Sequence, residues 1–265
     1  MTILDLPNGR DLGGLPGAGG TIRPGLLLRS AAPTDAAARS ALAALGVRRV
    51  VDLRTDLERE QQPTEVPAGA QRHNADVLAD ASYAGAANLG RLAAEALGGH
   101  QVADGFAGRD LRAVMLDSYR DFTGLGSGRR AAADVIRLLA QDDAGPVLLH
   151  CTAGKDRTGW LVALVLHCLG APWEAVMADY LASGPAVRGM FDGFLRRLPD
   201  PAGAADVLAP VLGVDPEYLA AARQEAETEF GSLEAYVRQG LGIEDDVLAL
   251  LRARLLQPSS ASALR

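Results

Sequence analysis

The sequence predicts an α/β protein in which helices flank a mostly parallel central sheet. Residues 47–54 contain a β-branched run and residues 146–150 an apolar one, and both have the composition of buried parallel strands. Segments with a helical pattern separate these runs, and strands that alternate with helices are typical of a parallel, wrapped sheet. The helix predicted over residues 158–169 is apolar nearly all round, so it should lie inside the fold.

The first third of the chain contains turns, strands and short helices. The predicted elements are, in order, a strand or hairpin arm at 21–30, a helix at 34–45, a buried strand at 47–54, a helix at 55–62 and a weaker strand at 70–78. Thr34 can cap the first helix and Gly46 can end it, because a hydroxyl satisfies free N–H groups and glycine adopts the conformation that stops a helix.

A long alanine-rich segment follows from residue 81 to about residue 122, with a helical pattern that glycines interrupt. So long a helical excursion between strands predicts an insertion, or lid, that covers one face of the sheet. A further helix at 128–140 leads into the strand at 146–150, and helices occupy most of the chain beyond it. We therefore expect one domain over residues 1–257 with a helical lid insertion at about 81–122, and a frayed tail at 258–265.

Composition and charge exclude several classes of function. A net charge of −7 argues against general nucleic-acid binding, which requires a basic surface. Two cysteines, Cys151 and Cys168, provide no disulfide framework and favour a reducing compartment. Neither a signal peptide nor a run long enough to anchor the chain in a membrane is evident, so the predicted location is cytoplasmic. Secretion by a route without a signal peptide stays open.

The chemistry is concentrated in residues 150–159, which read His-Cys-Thr-Ala-Gly-Lys-Asp-Arg-Thr-Gly. The thiol of Cys151 stands where a strand ends, and Arg157 stands where the next helix begins. A thiol nucleophile acts as its thiolate. The positive end of the helix, the cations Lys155 and Arg157, and the successive N–H groups of the loop all favour that form.

The same features predict a site for a phosphate dianion. The N–H groups of residues 152–157, which include Thr152, Ala153 and Gly154, can curl around an anion, while the guanidinium of Arg157 binds two of its oxygens. The predicted reaction is attack of the Cys151 sulfur on phosphorus, giving a cysteinyl-phosphate that water then hydrolyses. The Thr158 hydroxyl can donate a hydrogen bond to the departing sulfur.

The leaving oxygen of the substrate requires a general acid. Asp156 lies inside the loop and is the first candidate, Asp76 at the end of a strand is the second, and Asp80 follows it. The alternative for Asp156 is a structural role as the partner of an arginine, such as Arg54 or Arg10.

Lys155 is the one lysine among 26 basic residues of the chain. A compact ammonium suits a tight loop beside a second cation, so we interpret Lys155 as part of the substrate-binding site rather than as a chance occurrence. Spacing of the two His-Cys pairs fits no tetrahedral metal site, so neither a metal nor another cofactor is predicted. His150 is expected to orient the loop, and Cys168 to be a small buried side chain.

The motif at residues 150–159 resembles the His-Cys-x5-Arg-Thr signature of cysteine-dependent protein tyrosine phosphatases, and in particular a bacterial atypical tyrosine and dual-specificity branch with a Gly-Lys-Asp-Arg-Thr loop. Further segments with the same resemblance are residues 10–14 (with Arg10 and Asp11), Arg29-Ser30, residues 52–54 (with Asp52 and Arg54) and residues 231–236. Two departures are Gly9, where an aromatic residue is usual, and the lack of a Trp-Pro-Asp acid loop, which favours Asp156 as the acid.

The resemblance implies a protein-tyrosine-phosphatase-like fold, with residues 81–122 as a lid over the site. It also implies hydrolysis of phosphotyrosine, in some members of phosphoserine and phosphothreonine, and in several of phosphoinositides. A lysine beside the loop aspartate is similar to the phosphoinositide phosphatases. The predicted partners are therefore a phosphotyrosine protein or a phosphoinositide as substrate and inorganic phosphate as product. A non-catalytic phosphate-binding module is the remaining alternative.

Overall fold

The computed structural model of the chain describes residues 2–81, 110–197 and 200–258. Its main sheet has six strands in the order β1-β2-β5-β8-β6-β7. The strands of the main sheet are β1 (Thr2–Ile3), β2 (Arg10–Asp11), β5 (Leu27–Ser30), β6 (Arg49–Asp52), β7 (Gln71–Asn74) and β8 (Val147–His150). Strands β5, β8, β6 and β7 pair in parallel, and β1 and β2 add an antiparallel edge. The prediction of a mostly parallel central sheet is confirmed.

Helices flank this sheet and form a large group after it. They are α1 (Ala36–Ala44), α2 (Asp56–Gln61), α3 (Leu111–Gly124), α4 (Gly126–Ala140), α5 (Asp156–Cys168), α6 (Trp173–Leu181), α7 (Ser183–Leu195), α8 (Pro201–Leu212), α9 (Pro216–Phe230), α10 (Leu233–Ala235) and α11 (Asp245–Leu255). A single-turn 3₁₀ helix occupies Asp142–Ala144, and a π-helical turn spans Tyr236–Gly240. Among the described residues, none of the helices is both long and apolar enough to cross a membrane.

The two central strands are buried on both faces. Val51 and Leu149 join the larger cluster, which also contains Trp160 of α5. Val50 and Leu148 join the smaller cluster, beneath α1. Because successive side chains of a strand point to opposite faces, a strand that is covered on both faces requires apolar residues at consecutive positions, as at Val50 and Val51 and at Leu148 and Leu149.

The structure corrects the second boundary of the predicted lid. Residues 82–109, which hold most of that insertion, lie outside the described residues. The part from Leu111 onward is α3, whose Met115, Tyr119 and Phe122 side chains are buried in the main core. Because these side chains pack in the main core, α3 belongs to the core, and the insertion predicted to run to about residue 122 overlaps a core helix from Leu111 onward.

The chain leaves α11 as a strand rather than a tail. Strand β9 (Leu256–Pro258) pairs with β4 (Gly20–Ile22), which in turn pairs with β3 (Pro16–Gly17) in a small second sheet. The predicted frayed tail was wrong at its first residue, because Pro258 lies opposite Gly20 in this ladder. Residues 259–265 lie outside the described residues. The single domain over residues 1–257 stays a prediction.

Candidate active site

The loop between β8 and α5 lies at the carboxyl ends of the parallel strands, where α/β folds place their ligand sites. Cys151 follows the last residue of β8 and is 2% exposed. Helix α5 begins at Asp156, so that Arg157 lies in its first turn and the positive end of the helix faces the loop. The local sequence therefore places the thiol, the cation and the helix end as predicted from the order of the motif.

Two side chains from outside the loop fix its shape. Asn8 Nδ2 donates to the Ala153 carbonyl at 2.9 Å, and Arg29 Nη2 donates to the Gly154 carbonyl at 2.6 Å. The N–H and C=O of a trans peptide point in opposite directions, so the N–H groups of Gly154 and Lys155 point away from these two donors. This orientation leaves amide donors of the loop available for an anion.

Gly154 is required by the geometry of the loop. Its φ is +68°, a conformation that residues with a side chain rarely adopt. A Cβ at this position would also lie 2.2 Å from the carbonyl oxygen of Ser30. The loop can thus pack against the end of β5 only with glycine here.

Asp179 of α6 connects the two arginines that support the loop. It accepts from Arg10 Nε at 2.7 Å and from Arg29 Nη1, and all three side chains are buried. Burial alone would raise the pKa of the Asp179 carboxyl, but the two guanidinium groups keep it below its usual value. Arg10, predicted as an orienting residue, therefore contacts α6, while Asp11 accepts from the backbone N–H groups of Gly13 and Gly25.

Arg157 is held by Glu58 of α2. The guanidinium donates to both carboxylate oxygens, at 2.6 and 2.7 Å, and Thr152 Oγ1 donates to the same carboxylate at 2.5 Å. Burial opposes ionisation of Glu58, yet the charge and hydrogen bonds of Arg157 hold the pKa of this carboxyl well below its usual range. The pair fixes the plane of the guanidinium before any substrate binds.

Asp156 and Lys155 belong to a second set of contacts. The Tyr119 hydroxyl donates to Asp156 Oδ1 at 2.8 Å, and Lys155 Nζ lies 3.4 Å from the same oxygen. Lys155 is only 3% exposed, and its ammonium donates to the carbonyls of Val211 and Gly213 at 2.5 and 2.7 Å. In this arrangement, the ammonium binds the C-terminal end of α8.

Asp76 follows β7 and is half-buried. One carboxylate oxygen accepts from the Leu78 N–H at 2.8 Å. Burial raises the pKa of Asp76, and the positive charges of Arg157 and Arg59 offset only part of that rise. A carboxyl group with a raised pKa near the loop arginine is suited to hold a proton for a leaving group. Asp80, the third candidate, pairs instead with Arg130 on the surface.

Asp52 and its neighbours form a buried polar group behind the loop. Asp52 receives hydrogen bonds from Arg54 and Thr64, which lower its pKa to about 2 although burial opposes this. His150 Nδ1 lies 3.0 Å from the Cys151 carbonyl, and burial lowers the pKa of its imidazole to about 4. Arg54 therefore pairs with Asp52 and Arg10 pairs with Asp179, so neither of these two arginines is the partner of Asp156.

Thr158 is fully buried, and its Oγ1 has no hydrogen-bond partner among the described residues. An unpartnered buried hydroxyl normally costs stability. A hydroxyl in the first turn of α5, seven residues after Cys151, remains available for the role predicted for it.

Sequence analysis missed Glu58 and Tyr119 as members of the site. A signal for Glu58 was present, because Thr55 and Glu58 have the spacing of a capping box and form one at the start of α2. That motif identifies the helix start, not the contact with Arg157. Tyr119 has no local signal, since its contact with Asp156 joins residues 37 positions apart.

A thiol at the end of a parallel strand, a loop of amide donors and an arginine at a helix N-terminus together define a cysteine-dependent phosphatase. The chain matches the family described as "Tyrosine phosphatase family" over residues 1–257. It is 34% identical to the triple specificity protein phosphatase PtpB of Mycobacterium tuberculosis, over 97% of this chain and 100% of that protein. A provisionally named tyrosine-protein phosphatase of Cupriavidus necator is also 34% identical, over 95% of this chain and 86% of that protein. A tyrosine-protein phosphatase of Nostoc commune is 29% identical, over 83% and 69%.

The chain belongs to the tyrosine phosphatase family and is a phosphoric monoester hydrolase. This confirms the predicted family, the fold class and the prediction of a cysteine-dependent protein tyrosine phosphatase. It also favours an enzyme over the non-catalytic phosphate-binding module. The roles of the individual site residues follow from their geometry and are proposals.

Proposed function

We propose that this protein hydrolyses phosphotyrosine in proteins through a cysteinyl-phosphate on Cys151. The Cys151 thiolate attacks phosphorus, the bond from phosphorus to the ester oxygen breaks, and Asp156 donates a proton to that oxygen. Water then attacks the phosphorus, the S–P bond breaks, and the carboxylate of Asp156 accepts the proton of the water. Inorganic phosphate leaves, and the thiolate is restored.

One observation carries this proposal, namely that the loop is shaped in advance for a tetrahedral anion. Asn8 and Arg29 hold two loop carbonyls, so the opposite N–H groups remain free for the anion, and Glu58 fixes Arg157 beside them. Donors that are oriented before the reaction stabilise the developing charge without reorganisation. Thr152, Ala153 and Gly154 supply the loop backbone in this proposal.

A phosphoinositide is a second candidate substrate. Lys155 would bind an additional phosphate of such a lipid, and the relative from Mycobacterium tuberculosis carries a name that states triple specificity. The ammonium of Lys155 is engaged by Val211 and Gly213, so it must leave these carbonyls to bind a second phosphate. This cost favours a substrate with one phosphate and therefore the phosphoprotein.

The test compares the intact protein with a Cys151→Ser variant. We expect p-nitrophenyl phosphate to give a burst of one equivalent of p-nitrophenol in the intact protein and none in the variant. Phosphotyrosine, phosphoserine and phosphothreonine peptides and phosphatidylinositol 3-phosphate in vesicles then define the substrate. A higher kcat/KM for the lipid than for every peptide would contradict the primary proposal. Full activity of Cys151→Ser would reject the mechanism.

Two carboxyl groups compete for the role of the acid. Asp156→Asn should lower the rate for phenyl phosphate, a poor leaving group, more than the rate for p-nitrophenyl phosphate. Asp76→Asn is the matched variant, because the raised pKa of Asp76 specifically favours it as the alternative. If only Asp76→Asn shows the leaving-group dependence, the proton comes from Asp76 and Asp156 has a different role.

Three further predictions from the sequence are part of this proposal. They are the helical lid insertion at about 81–122, most of which lies outside the described residues, the single domain over residues 1–257 and the cytoplasmic location. A lid over this site would shield the Cys151 thiolate from oxidation. The lid proposal is supported if Cys151 resists oxidation by hydrogen peroxide in the intact protein and loses this resistance when residues 85–105 are removed.

A further inference from the structure

Three residues from three different helices form a hydrogen-bonded chain that ends at Asp156. Tyr180 of α6 and Tyr119 of α3 have hydroxyl oxygens 2.8 Å apart, and the Tyr119 hydroxyl is 2.8 Å from Asp156 Oδ1. Tyr119 is fully buried and Tyr180 is 1% exposed. This series of hydrogen bonds therefore connects the Asp156 carboxyl group of the phosphate loop with the core helices α3 and α6.

The direction of the hydrogen bonds follows from the donors available. An ionised carboxylate can only accept, so Tyr119 donates to Asp156, and the Tyr119 oxygen is then free to accept from Tyr180. Burial raises the pKa of Tyr119, and it likewise raises the pKa of Tyr180. Both phenols consequently keep their protons at neutral pH. The order of donation is fixed while Asp156 is ionised.

Among the residues that the structure describes, the other charged groups near Asp156 come from its own loop. Lys155 Nζ is 3.4 Å away, and the charges of Arg157 and Asp156 interact. From the packed helices the titratable groups are Tyr119, Tyr180 and Tyr218. Burial raises the pKa of each phenol, and the negative charge of Asp156 adds to that rise. Among them, Tyr119 is the phenol that donates a hydrogen bond to the carboxylate.

Packing holds both tyrosines in place. The Tyr119 ring lies 5.1 Å from that of Phe122 and 5.6 Å from that of Tyr218, centroid to centroid. The Tyr180 ring lies edge-on to the Tyr119 ring, with 6.2 Å between their centroids. A Cβ at position 159 would lie 2.9 Å from Tyr180 Cδ2, so the glycine that ends the loop motif provides the space for this ring.

We propose that Tyr119, supported by Tyr180, is a positioning residue that orients the Asp156 carboxyl group and stabilises its ionised form. The inference rests on the proposed role of Asp156. After Asp156 gives its proton to the leaving group, it is the carboxylate that must remain in place to accept a proton from water. Tyr119 stabilises that state through its hydrogen bond to Asp156 Oδ1, so it acts on the reaction through Asp156.

The first test is the pH dependence of kcat/KM for phenyl phosphate. Tyr119→Phe removes the donor and keeps the ring, so Asp156 should stay protonated to higher pH. Hydrogen bonds to charged groups are strong enough that the basic limb should move upward by about one pH unit. Tyr218→Phe is the matched control, since the Tyr218 hydroxyl donates to the Pro210 carbonyl and not to Asp156, Tyr119 or Tyr180. An equal shift in the control would reduce the role of Tyr119 to packing and overturn the proposal.

The second test reads Asp156 without catalysis. In protein labelled with ¹³C at the aspartate carboxyl carbons, the resonance lost in Asp156→Asn reports the titration of this group. Its midpoint should move upward in Tyr119→Phe by about the same one pH unit. An unchanged midpoint overturns the proposal. A shifted midpoint with an unchanged rate profile supports the positioning role of Tyr119 and instead rejects Asp156 as the acid.

Tyr180→Phe provides a second variant in case Tyr119→Phe does not fold. This variant keeps the hydrogen bond from Tyr119 to Asp156 and removes the Tyr180 hydroxyl that donates to Tyr119. The midpoint of the Asp156 resonance should then move in the same direction by a smaller amount. An unchanged midpoint would show that the hydrogen-bonded pair Tyr180 and Tyr119 does not act on Asp156.

Discussion

Glu58 and Arg157 form two parallel hydrogen bonds of 2.6 and 2.7 Å, so that a helix outside the phosphate loop holds the arginine of that loop. The two side chains are 16% and 11% exposed, respectively, which limits the screening of their charges by water. The remaining N–H groups of Arg157 stay available for phosphate oxygens, because a guanidinium has five donors.

The first prediction concerns this pair. Glu58→Gln removes the charge and one of the two matching acceptors, so Arg157 should lose its fixed plane. Misplacement of a binding group by about 1 Å can cost on the order of a hundredfold, and we expect kcat/KM to fall by about tenfold to a hundredfold. Glu65→Gln is the charge-matched control, because Glu65 pairs with Arg39 on the surface. An increase in kcat/KM would mean that Glu58 competes with phosphate instead of positioning Arg157.

The second prediction concerns Asp179, the common partner of Arg10 and Arg29. Asp179→Ala would leave two buried guanidinium groups without their carboxylate. Removing one partner from a buried ion pair costs about 3–5 kcal/mol, and we expect a loss of this size in the free energy of unfolding. Urea unfolding measures it, with the exposed Asp192→Ala as control. Equal stability of the two variants would contradict a supporting role for Asp179.

The sequence predicted those parts of the site that lie within one short segment of the chain. Residues 150–159 form a strand end, a loop and a helix start, so their order along the chain also sets their order in space. The contacts of Glu58 with Arg157 and of Tyr119 with Asp156 join distant positions, and only tertiary packing creates them.

The local sequence pattern was insufficient for two further predictions. The alanine-rich pattern before residue 122 indicates helix, but it does not separate a core helix from a covering one. Met115 and Tyr119 decide the question, because they are buried against helices that occur about 100 residues later in the chain, such as α9. Pro258 looked like the start of a tail because a three-residue strand has too little pattern to detect.

The third prediction follows from His150. Burial lowers the pKa of its imidazole from 6.5 to about 4, so the folded state takes up this proton less readily than the unfolded chain. The contribution of His150 is therefore fully present above about pH 6.5, is lost as the pH falls toward 4, and is constant below that. The shift corresponds to roughly 3 kcal/mol.

His150→Asn tests this contribution, since the amide can still donate to the Cys151 carbonyl while it cannot take up a proton. Urea unfolding at pH 7 and at pH 4.5 should show a smaller loss of stability for the variant than for the intact protein. An equal loss in both proteins would show that His150 is not the group responsible.

The last prediction concerns Lys155, whose ammonium donates to Val211 and Gly213 at the end of α8. Lys155→Met keeps the aliphatic stem but leaves both partly buried carbonyls without this charged donor, and hydrogen bonds to charged groups contribute about 1.5–3 kcal/mol. We expect the free energy of unfolding to fall by that amount. The kcat/KM for p-nitrophenyl phosphate should change less than about tenfold, since direct loss of a transition-state donor costs about 10²–10³. Arg188→Met, on the exposed side of α7, is the control. Unchanged stability with a large loss of activity would mean that Lys155 leaves α8 and binds the phosphate.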